Sequence, residues 1–283
     1  MPEVKTAAPS VIDLVDESFD LKKSNTCHLS ILVTENSTSY AILDTNTNKY
    51  LVLKQIPFIK EDDILTSFRE LGVTSFRSVT CAVSHNKFAL IPSALFDDEN
   101  KESLLGFNHP MSSEEKIHSD TVRSLDAKNL FSLSRTLEST VRKQFPNVHF
   151  IHNSTPFIEG LLVQNKNNSG KKVFADFASD HFTVAILDGR ELLFSNAFSY
   201  KTAEDIAYYM LFVYEQLHLN PEVVELILSG AIEKTAKEHS LLYNYIHHVK
   251  FAVRPDGFQY SYKFHDIQGH NFFSLFNQYL ISN

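Results

Sequence analysis

The sequence predicts an α/β protein with mixed sheets, in which one structural unit occurs twice along a chain of 283 residues. Apolar residues alternate with polar ones from Cys27 onward and again from Val173 onward, and a helical pattern follows each time. The order of elements, three strands, a helix and a strand, is the same in both halves. The sequence Ala-Ile-Leu-Asp at 41–44 recurs at 185–188, 144 positions later. Together these observations indicate an internal duplication.

The first copy opens with an antiparallel meander. Its strands are predicted at residues 27–33, 40–43 and 50–53. A helix is expected at 61–71, because Ile64, Phe68 and Leu71 fall on one face and Gly72 is a natural stop. A strand at 78–83 completes the unit. The polar residues that precede the meander are expected to form an irregular peripheral arm.

The second copy is predicted to contain the same elements in the same order. Its strands are expected at residues 173–178, 183–187, 192–198 and 224–228, with a helix at 202–217 before the last. Two further matches have nearly the same offset: residues 63–64 recur as 205–206, and residues 83–84 align with 228–229. A nearly constant offset is what a duplicated unit produces.

Further elements connect and follow the two copies. Helices are predicted around Leu130, Leu133, Leu137 and Val141 and at residues 155–163, 232–245 and 272–281, and strands at 148–151 and 249–253. The polar stretch 165–172 is the expected hinge. We therefore divide the chain into a first lobe with its N-terminal arm (1–165), a second lobe (166–255), and a C-terminal strand and helix that pack back on the lobes (256–283).

The composition excludes several classes of function. The chain has 8 glycines, and the closest two, Gly160 and Gly170, are ten positions apart, so neither a dinucleotide-binding fingerprint nor a Walker loop can be present. A net charge of −8 disfavours nucleic-acid binding. The sequence shows no signal peptide or membrane-spanning segment, and we expect a cytoplasmic protein. Cys27 and Cys81 fall in predicted strands and are expected to be buried, reduced thiols.

The tandem unit resembles the actin-like ATPase superfamily, whose lobes are ribonuclease-H-like βββαβα folds. Residues 175–189, Ala-Asp-Phe-Ala-Ser-Asp-His-Phe-Thr-Val-Ala-Ile-Leu-Asp-Gly, are similar to its second phosphate-loop hairpin, especially in the pilus-assembly and cell-division members. Residues 12–20, 90–96 and 152–156 more narrowly resemble a Bacteroidetes-type family of unknown function assigned to this fold. The resemblance covers nearly the whole chain and implies a bacterial protein of that fold.

Members of the superfamily hold ATP at three backbone sites, and the resemblance implies where these lie here. The first hairpin corresponds to the turn 34–38, which has no glycine and would present Glu35 to phosphate. The second hairpin keeps Asp176 and Thr183, but larger residues stand at 177–179, where small residues should expose their N–H groups. The adenosine site corresponds to 229–231, and only one of its usual paired glycines remains there.

The sequence lacks the complete set of residues that a nuclease site or a metal site would need. A ribonuclease-H-like nuclease needs several carboxylates around two Mg²⁺ ions. Here Asp176 would have only Glu204 or Asp205 as partners, and acids in a first helical turn already have an explanation in the helix dipole. Histidines such as His149 and His152 lie at strand positions that face opposite sides, so we assign no metal site.

An alternating aromatic stretch predicts one more strand. Its members are Phe258, Tyr260, Tyr262 and Phe264. Such an aromatic face is either an exposed docking edge or a cover for the sheet, and the sequence leaves both interpretations open.

We therefore predict a cytoplasmic binding or scaffold protein of actin-like fold without competent ATPase loops. We expect an unidentified protein partner, no cofactor, nucleic acid or membrane, and no catalytic or metal-binding residue. The alternative is a divergent nucleotide-binding protein that holds ATP and Mg²⁺ in the cleft between its lobes. Asp176, Asp180, Thr183 and Gly230 would then line that cleft.

Overall fold

The computed structural model describes residues 10–58, 64–72 and 75–282. Its strands are β1 (Ile12–Val15), β2 (Cys27–Val33), β3 (Ser37–Asp44), β4 (Lys49–Pro57), β5 (Ser78–Val83), β6 (Phe88–Pro92), β7 (Glu115–Val122), β8 (Ala127–Ser134), β9 (His149–His152), β10 (Lys171–Phe177), β11 (His181–Asp188), β12 (Glu191–Ser199), β13 (Leu226–Gly230), β14 (Val249–Phe251) and β15 (Gln259–Tyr260). Its α-helices are α1 (Ile64–Ser67), α2 (Lys101–Gly106), α3 (Arg135–Gln144), α4 (Ser154–Gln164), α5 (Ala203–Gln216), α6 (Lys237–Tyr243) and α7 (Phe273–Asn277).

Two sheets with the same strand order form the two lobes. The first runs β1-β4-β3-β2-β5-β9, with β15 pairing β4, and the second runs β12-β11-β10-β13-β14. In each, an antiparallel meander is extended by two parallel strands. The prediction of a mixed α/β protein with a repeated unit is confirmed.

The duplication extends to a local irregularity. The register between β3 and β4 shifts between Ile42 and Leu43, and the register between β11 and β12 shifts between Ile186 and Leu187. These bulges fall inside the repeated Ala-Ile-Leu-Asp sequence, at the same offset of 144 positions. A bulge bends its strand and increases its twist, so both meanders bend at the same place.

The register also corrects one sequence alignment. In the first lobe Val33 pairs with Val83, and in the second lobe Phe177 pairs with Gly230. Phe177 follows Val33 by 144 positions, whereas Gly230 follows Val83 by 147. The match of 83–84 with 228–229 was therefore displaced by two residues, because a short aliphatic run can be aligned at more than one offset.

A third sheet, in the order β6-β8-β7, was not predicted. Leu130 and Leu133, which we had placed on a helix, lie in β8, and the helix α3 begins only at Arg135. The central strand β8 is buried on both faces along most of its length. Leu130, Leu133, Leu137 and Val141 recur at the spacing of one helix face, although the first two lie in a strand and the last two in a helix.

Two predicted boundaries near the N-terminus also change. Residues 12–15 were assigned to an irregular arm but form β1, an edge strand antiparallel to β4. Four residues are too few for alternation to be recognised in the sequence. The part of the predicted helix 61–71 that the structure describes is α1 followed by a 3₁₀ turn at Arg69–Leu71; residues 61–63 lie outside the described residues.

The C-terminal segment (residues 256–282) packs between the two lobes. Its helix α7 lies against α4, and these two helices separate the sheets. Leu275 and Phe276 are buried against Leu43 and Tyr50 of the first sheet. On the other side of α7, Phe273 belongs to the apolar cluster that covers the inner face of the second sheet. Each sheet is therefore buried on both faces.

The remaining expectations concern smaller features. Cys27 and Cys81 are buried free thiols, as predicted. The helix expected at 232–245 is shorter, since α6 covers only Lys237–Tyr243. None of the helices in the described part of the chain has both the length and the apolar character needed to cross a bilayer. The division at 165/166 and 255/256 stays a prediction.

Candidate functional site

A cleft of about 570 Å³ opens between the lobes. One wall consists of the turn between β2 and β3, and the opposite wall of the turn between β10 and β11 and the loop that follows β13. The C-terminal segment contributes residues 271–275. The cleft thus lies where the strands of both meanders end, the position at which ligands bind in open α/β sheets.

Asp176 lies at the inner end of this cleft and is tied to three different elements. Its Oδ2 accepts hydrogen bonds from Asn153 Nδ2 at 3.0 Å and from Ser274 Oγ at 2.8 Å. Its Oδ1 accepts one from Ser229 Oγ at 2.7 Å. Burial raises the pKa of Asp176, although the three hydrogen bonds act in the opposite direction. The carboxylate is thereby held by α4, β13 and α7 at once.

Main-chain amides around the cleft are already paired within the protein. The Gly230 N–H donates to the carbonyl of His270 at 3.1 Å, and the Ala231 N–H donates to the carbonyl of Phe177 at 2.8 Å. In the second hairpin, the Ala178 N–H donates to the carbonyl of His181 at 2.9 Å. These amides do not converge on the cleft as donors for an anion.

Gly230 is required by packing. Its φ is +80°, and a Cβ there would overlap the main chain of Phe177. The close approach is between β13 and the second hairpin, so the glycine has a structural reason that involves no ligand.

The four residues expected to line the cleft are divided by the structure. Asp176 and Gly230 line it, but Asp180 and Thr183 do not. Thr183 lies within β11 opposite Asp176 and is buried. Asp180 turns instead toward His181, with Oδ1 2.8 Å from Nδ1. Thr183 is enclosed in the sheet of the second lobe and Asp180 pairs with its neighbour His181, so neither reaches the described lining. A role of the four residues in nucleotide binding stays a prediction.

Two other residues behave differently from expectation. Glu35 was expected to face the phosphate position, but it is exposed and is not part of the cleft wall. Phe177 lines the cleft and stacks on the buried ring of Phe182, with centroids 5.2 Å apart. Phe177 contributes to the wall of the cleft, whereas Phe182 is fully buried and is not part of the described lining.

The charged residues in the described lining of the cleft are all acidic. They are Asp176, Glu233 and Glu238, with no lysine, arginine or histidine among them. The neighbouring lysines point elsewhere: Lys237 Nζ lies 2.6 Å from Glu204 Oε1, and Lys234 lines a separate cavity. The cleft is therefore an acidic environment.

A hydrogen-bonded relay connects the lobes beside the cleft. His181 Nε2 lies 3.2 Å from Ser84 Oγ, and Nδ1 lies 2.8 Å from Asp180 Oδ1. Although burial acts to raise it, the bond to His181 holds the pKa of Asp180 below its ordinary value. The order of groups matches a Ser-His-Asp triad, but the Ser84 N–H already donates to the carbonyl of Val33 at 2.9 Å. In such triads the N–H of the nucleophile usually helps to stabilise the oxyanion. Because the N–H of Ser84 is already occupied, we interpret the relay as a contact that holds the two lobes together.

Sequence reasoning missed this relay. Ser84 and His181 are 97 positions apart and belong to no local motif. Only the pairing of the two lobes brings them together, and the nearest signal in the sequence was that both follow or begin strands of the repeated unit.

A buried polar network positions Asn153 at the start of α4. Asp120 accepts from the His152 N–H and from Thr155 Oγ, both at 2.7 Å, while Ser154 Oγ lies 2.7 Å from His152 Nδ1. Burial raises the pKa of Asp120 to about 7, and it lowers that of His152 well below its usual value. This network holds the chain on both sides of Asn153.

The carboxylates considered for a nuclease site have structural contacts in α5. Asp205 forms a capping box with Thr202 at the start of α5, and Glu204 pairs with Lys237, as expected of acids in a first turn. The described residues contain no group of three or more metal-ligating side chains. The glutamate and aspartate therefore have structural roles in α5.

The aromatic stretch mostly covers the first sheet. Only Gln259–Tyr260 forms a strand, and Tyr262–Phe264 is a 3₁₀ turn. Tyr260 stacks on Tyr50 with centroids 5.6 Å apart, and Phe264 is fully buried. The interpretation as a sheet cover is the one that the structure supports, and the prediction of a longer strand was wrong.

Comparison with solved structures identifies proteins of the same architecture. A Bacteroides thetaiotaomicron protein with an actin-like ATPase fold and unknown function is 24% identical, with a TM-score of 0.76 over 83% of this chain and 93% of that one. A chain from the PilM-PilN complex of type IV pilus biogenesis is 12% identical, with a TM-score of 0.59 over 89% of this chain and 97% of that one.

No curated protein matches the sequence. Residues 16–249 match the model of a family described as a protein of unknown function, DUF3822. The expected resemblance is thereby confirmed, and this chain belongs to the DUF3822 family.

Proposed function

We propose that this protein is a binding or scaffold protein of actin-like fold whose inter-lobe cleft does not hydrolyse nucleotides. The observation that carries the proposal is the state of Asp176. Its carboxylate is occupied by Asn153, Ser229 and Ser274, and the last of these belongs to the C-terminal segment. A carboxylate used in this way is not free to position Mg²⁺ beside a phosphate.

Electrostatics supports the same conclusion. A nucleotide triphosphate in the cleft would meet the carboxylates of Glu233 and Glu238 and no cation from the described lining. Like charges at short range repel each other. The main-chain donors near Gly230 are paired with carbonyl groups, so they offer no compensation.

The pilus-assembly neighbour supports a role in protein binding, because that chain was determined within the PilM-PilN complex. The partner of the present protein and its location in the cytoplasm remain predictions from the sequence.

Thermal unfolding with nucleotides tests the proposal. A ligand at 100 times its Kd stabilises a protein by about 2.7 kcal/mol, which for a chain of this size raises the Tm by roughly 4–5 °C. We expect no shift with millimolar Mg-ATP, Mg-ADP or Mg-GTP and no release of phosphate. The Ser274→Ala variant, which removes one of the two hydrogen bonds to Asp176 Oδ2, should behave in the same way.

A second candidate is a divergent nucleotide-binding protein. The observation that favours it is the open cleft itself, with Asp176 and Gly230 in its wall. A saturable rise of Tm with Mg-ATP that is absent with ATP alone would support this candidate and contradict the scaffold proposal.

A further inference from the structure

The loop after β13 brings two carboxylates to the cleft. Residues 233–238 read Glu-Lys-Thr-Ala-Lys-Glu. Both glutamates line the cleft, and Glu233 lies at the border with a neighbouring cavity that Lys234 also lines. Lys237 pairs with Glu204 outside the cleft, and no ion pair involves Glu233 or Glu238 within the described residues. The described lining of the cleft therefore has two glutamates without an ion-pair partner.

An unused acceptor lies deeper in the same cleft. Asn153 is 8% exposed, its Nδ2 donates to Asp176, and its Oδ1 has no hydrogen-bond partner among the described residues. Ser179 Oγ, also in the cleft wall, lacks a partner as well. A buried carbonyl oxygen without a donor costs roughly 1–3 kcal/mol, so a ligand that donates to Asn153 would remove that cost.

Aromatic and aliphatic groups complete the lining. Tyr200 donates its hydroxyl to the carbonyl of Ala178 at 2.7 Å, which leaves its ring as a wall of the cleft. Burial raises the pKa of Tyr200, and the nearby Glu238 acts in the same direction. An aromatic ring beside a carboxylate is a typical environment for a bound ammonium group. Leu32 and Leu275 provide apolar contact for a ligand body.

We propose that the cleft binds an organic cation, namely an ammonium or guanidinium group on a short alkyl chain. Such a group would pair with Glu233 and Glu238 and would donate to Asn153 Oδ1. The volume of about 570 Å³ suits a small molecule or a single basic side chain of a peptide. A bare metal ion is disfavoured, because no three ligating side chains converge among the described residues.

This inference rests on the proposed function, since it requires a cleft free of nucleotide. The test uses calorimetric titration of the full chain with 1,5-diaminopentane, the blocked tripeptide acetyl-Ala-Lys-Ala-amide, neutral 1,5-pentanediol, MgCl₂ and Mg-ATP. We expect the two ammonium compounds to bind and the diol not to bind. Tighter binding of the tripeptide would identify a protein side chain as the natural source, and tighter binding of the diamine would identify a small molecule.

Matched variants locate the binding site. The double change Glu233→Gln and Glu238→Gln should weaken diamine binding at least tenfold, while Glu191→Gln, at an exposed acid in the first position of β12, should leave it unchanged. The side-chain amide signal of Asn153 should shift in nuclear magnetic resonance spectra on titration. Tm values without ligand show that each variant is folded.

Several results would overturn the inference: equal binding of the diol, diamine binding that the double variant does not change, binding of Mg²⁺ alone, or binding of none of the compounds. In the last case the scaffold proposal survives. Binding of Mg-ATP would instead contradict the proposed function itself, so the two failures are distinguishable.

Discussion

Asp120 is a buried acid beside the start of α4, and its protonation makes the stability of the protein depend on pH. It accepts hydrogen bonds from the His152 N–H and Thr155 Oγ, and burial raises its pKa to about 7. A carboxyl group whose pKa is raised on folding binds its proton more tightly in the folded state. The stability it contributes is present in full below about pH 4 and is lost as the pH rises through 7, by up to about 1.4 kcal/mol per unit.

The Asp120→Asn variant should remove this dependence. The variant has no titrating group, and it loses one accepted hydrogen bond at a cost of about 1–3 kcal/mol. We expect it to be less stable than wild type at pH 5 and to close that gap by pH 8, because only wild type loses stability over this range. Urea unfolding at both pH values measures the gap.

The titration of His85 and His152 changes the stability with pH in the opposite direction. It does so equally in wild type and in Asp120→Asn, so it does not affect the difference between them. Burial lowers the pKa of His85 to about 4 and that of His152 well below its usual value, so stability falls as the pH drops below about 6.5 in both wild type and the variant. The Thr155→Val variant removes a hydrogen bond and keeps the carboxyl group, so its stability should still fall with rising pH. A gap between wild type and Asp120→Asn that is constant from pH 5 to 8 would show that Asp120 does not titrate there.

At the same scale, the candidate site was only partly predictable. The resemblance led to Asp176 and Gly230, because both lie in short stretches whose sequence is similar to known loops. Asn153 and Ser274 were not indicated as site residues in this way, because the stretch 152–156 resembles only a family of unknown function and Ser274 lies in no such stretch. They reach Asp176 from 23 and 98 positions away, through the packing of α4 and α7, and side chains that meet by packing have no shared motif.

Among the elements, the crossing of α4 and α7 depends on a glycine. A Cβ at Gly160 would overlap the side-chain amide of Asn277, which is 2% exposed and donates to the carbonyl of Phe273 at 3.0 Å. The Asn277 side chain is enclosed and cannot move away easily. Gly160→Ala should therefore destabilise the protein by about 1–3 kcal/mol, the usual cost of overpacking.

Gly106 is the matched control. It lies in α2, and a Cβ there would meet nothing within 4 Å. Gly106→Ala should be neutral or stabilising by up to about 1 kcal/mol. A double-mutant cycle tests whether the overlap is the cause. The double variant Gly160→Ala with Asn277→Ala should recover part of the lost stability. Chemical unfolding of wild type, the two single variants and the double variant gives the coupling energy. Strict additivity of the two changes would contradict the explanation.

The elements themselves were predicted to different degrees. The meander strands were correctly located because Asn- and Thr-rich turns separate short apolar runs. β8 was mistaken in part for a helix because its Leu130 and Leu133 precede Leu137 and Val141 of α3 at a spacing that also fits one helix face. The internal repeat helped only where a second copy existed, and the third sheet has no counterpart in the second lobe.

Across the whole molecule, the C-terminal segment joins two sheets that are not hydrogen-bonded to each other as strands. Gln278 is fully buried, donates to the carbonyl of Ile31 at 2.8 Å and accepts from Thr80 Oγ at 2.7 Å, both in the first lobe. Ser274 binds Asp176 of the second lobe. Unfolding of either lobe would therefore expose apolar surface on α7, which opposes separate unfolding of the lobes.

The Leu275→Ala variant tests this coupling. Leu275 is fully buried in the cluster of the first sheet, and its truncation should cost about 2–5 kcal/mol. If the lobes unfold together, hydrogen exchange should show the same loss of protection for amides of β3 and of β11, although β11 does not belong to that cluster. Tyr208→Ala, at a side chain that is 65% exposed, should change neither strand by more than about 0.5 kcal/mol. Loss of protection in β3 with β11 unchanged would mean that the lobes unfold independently and that α7 only covers the first sheet.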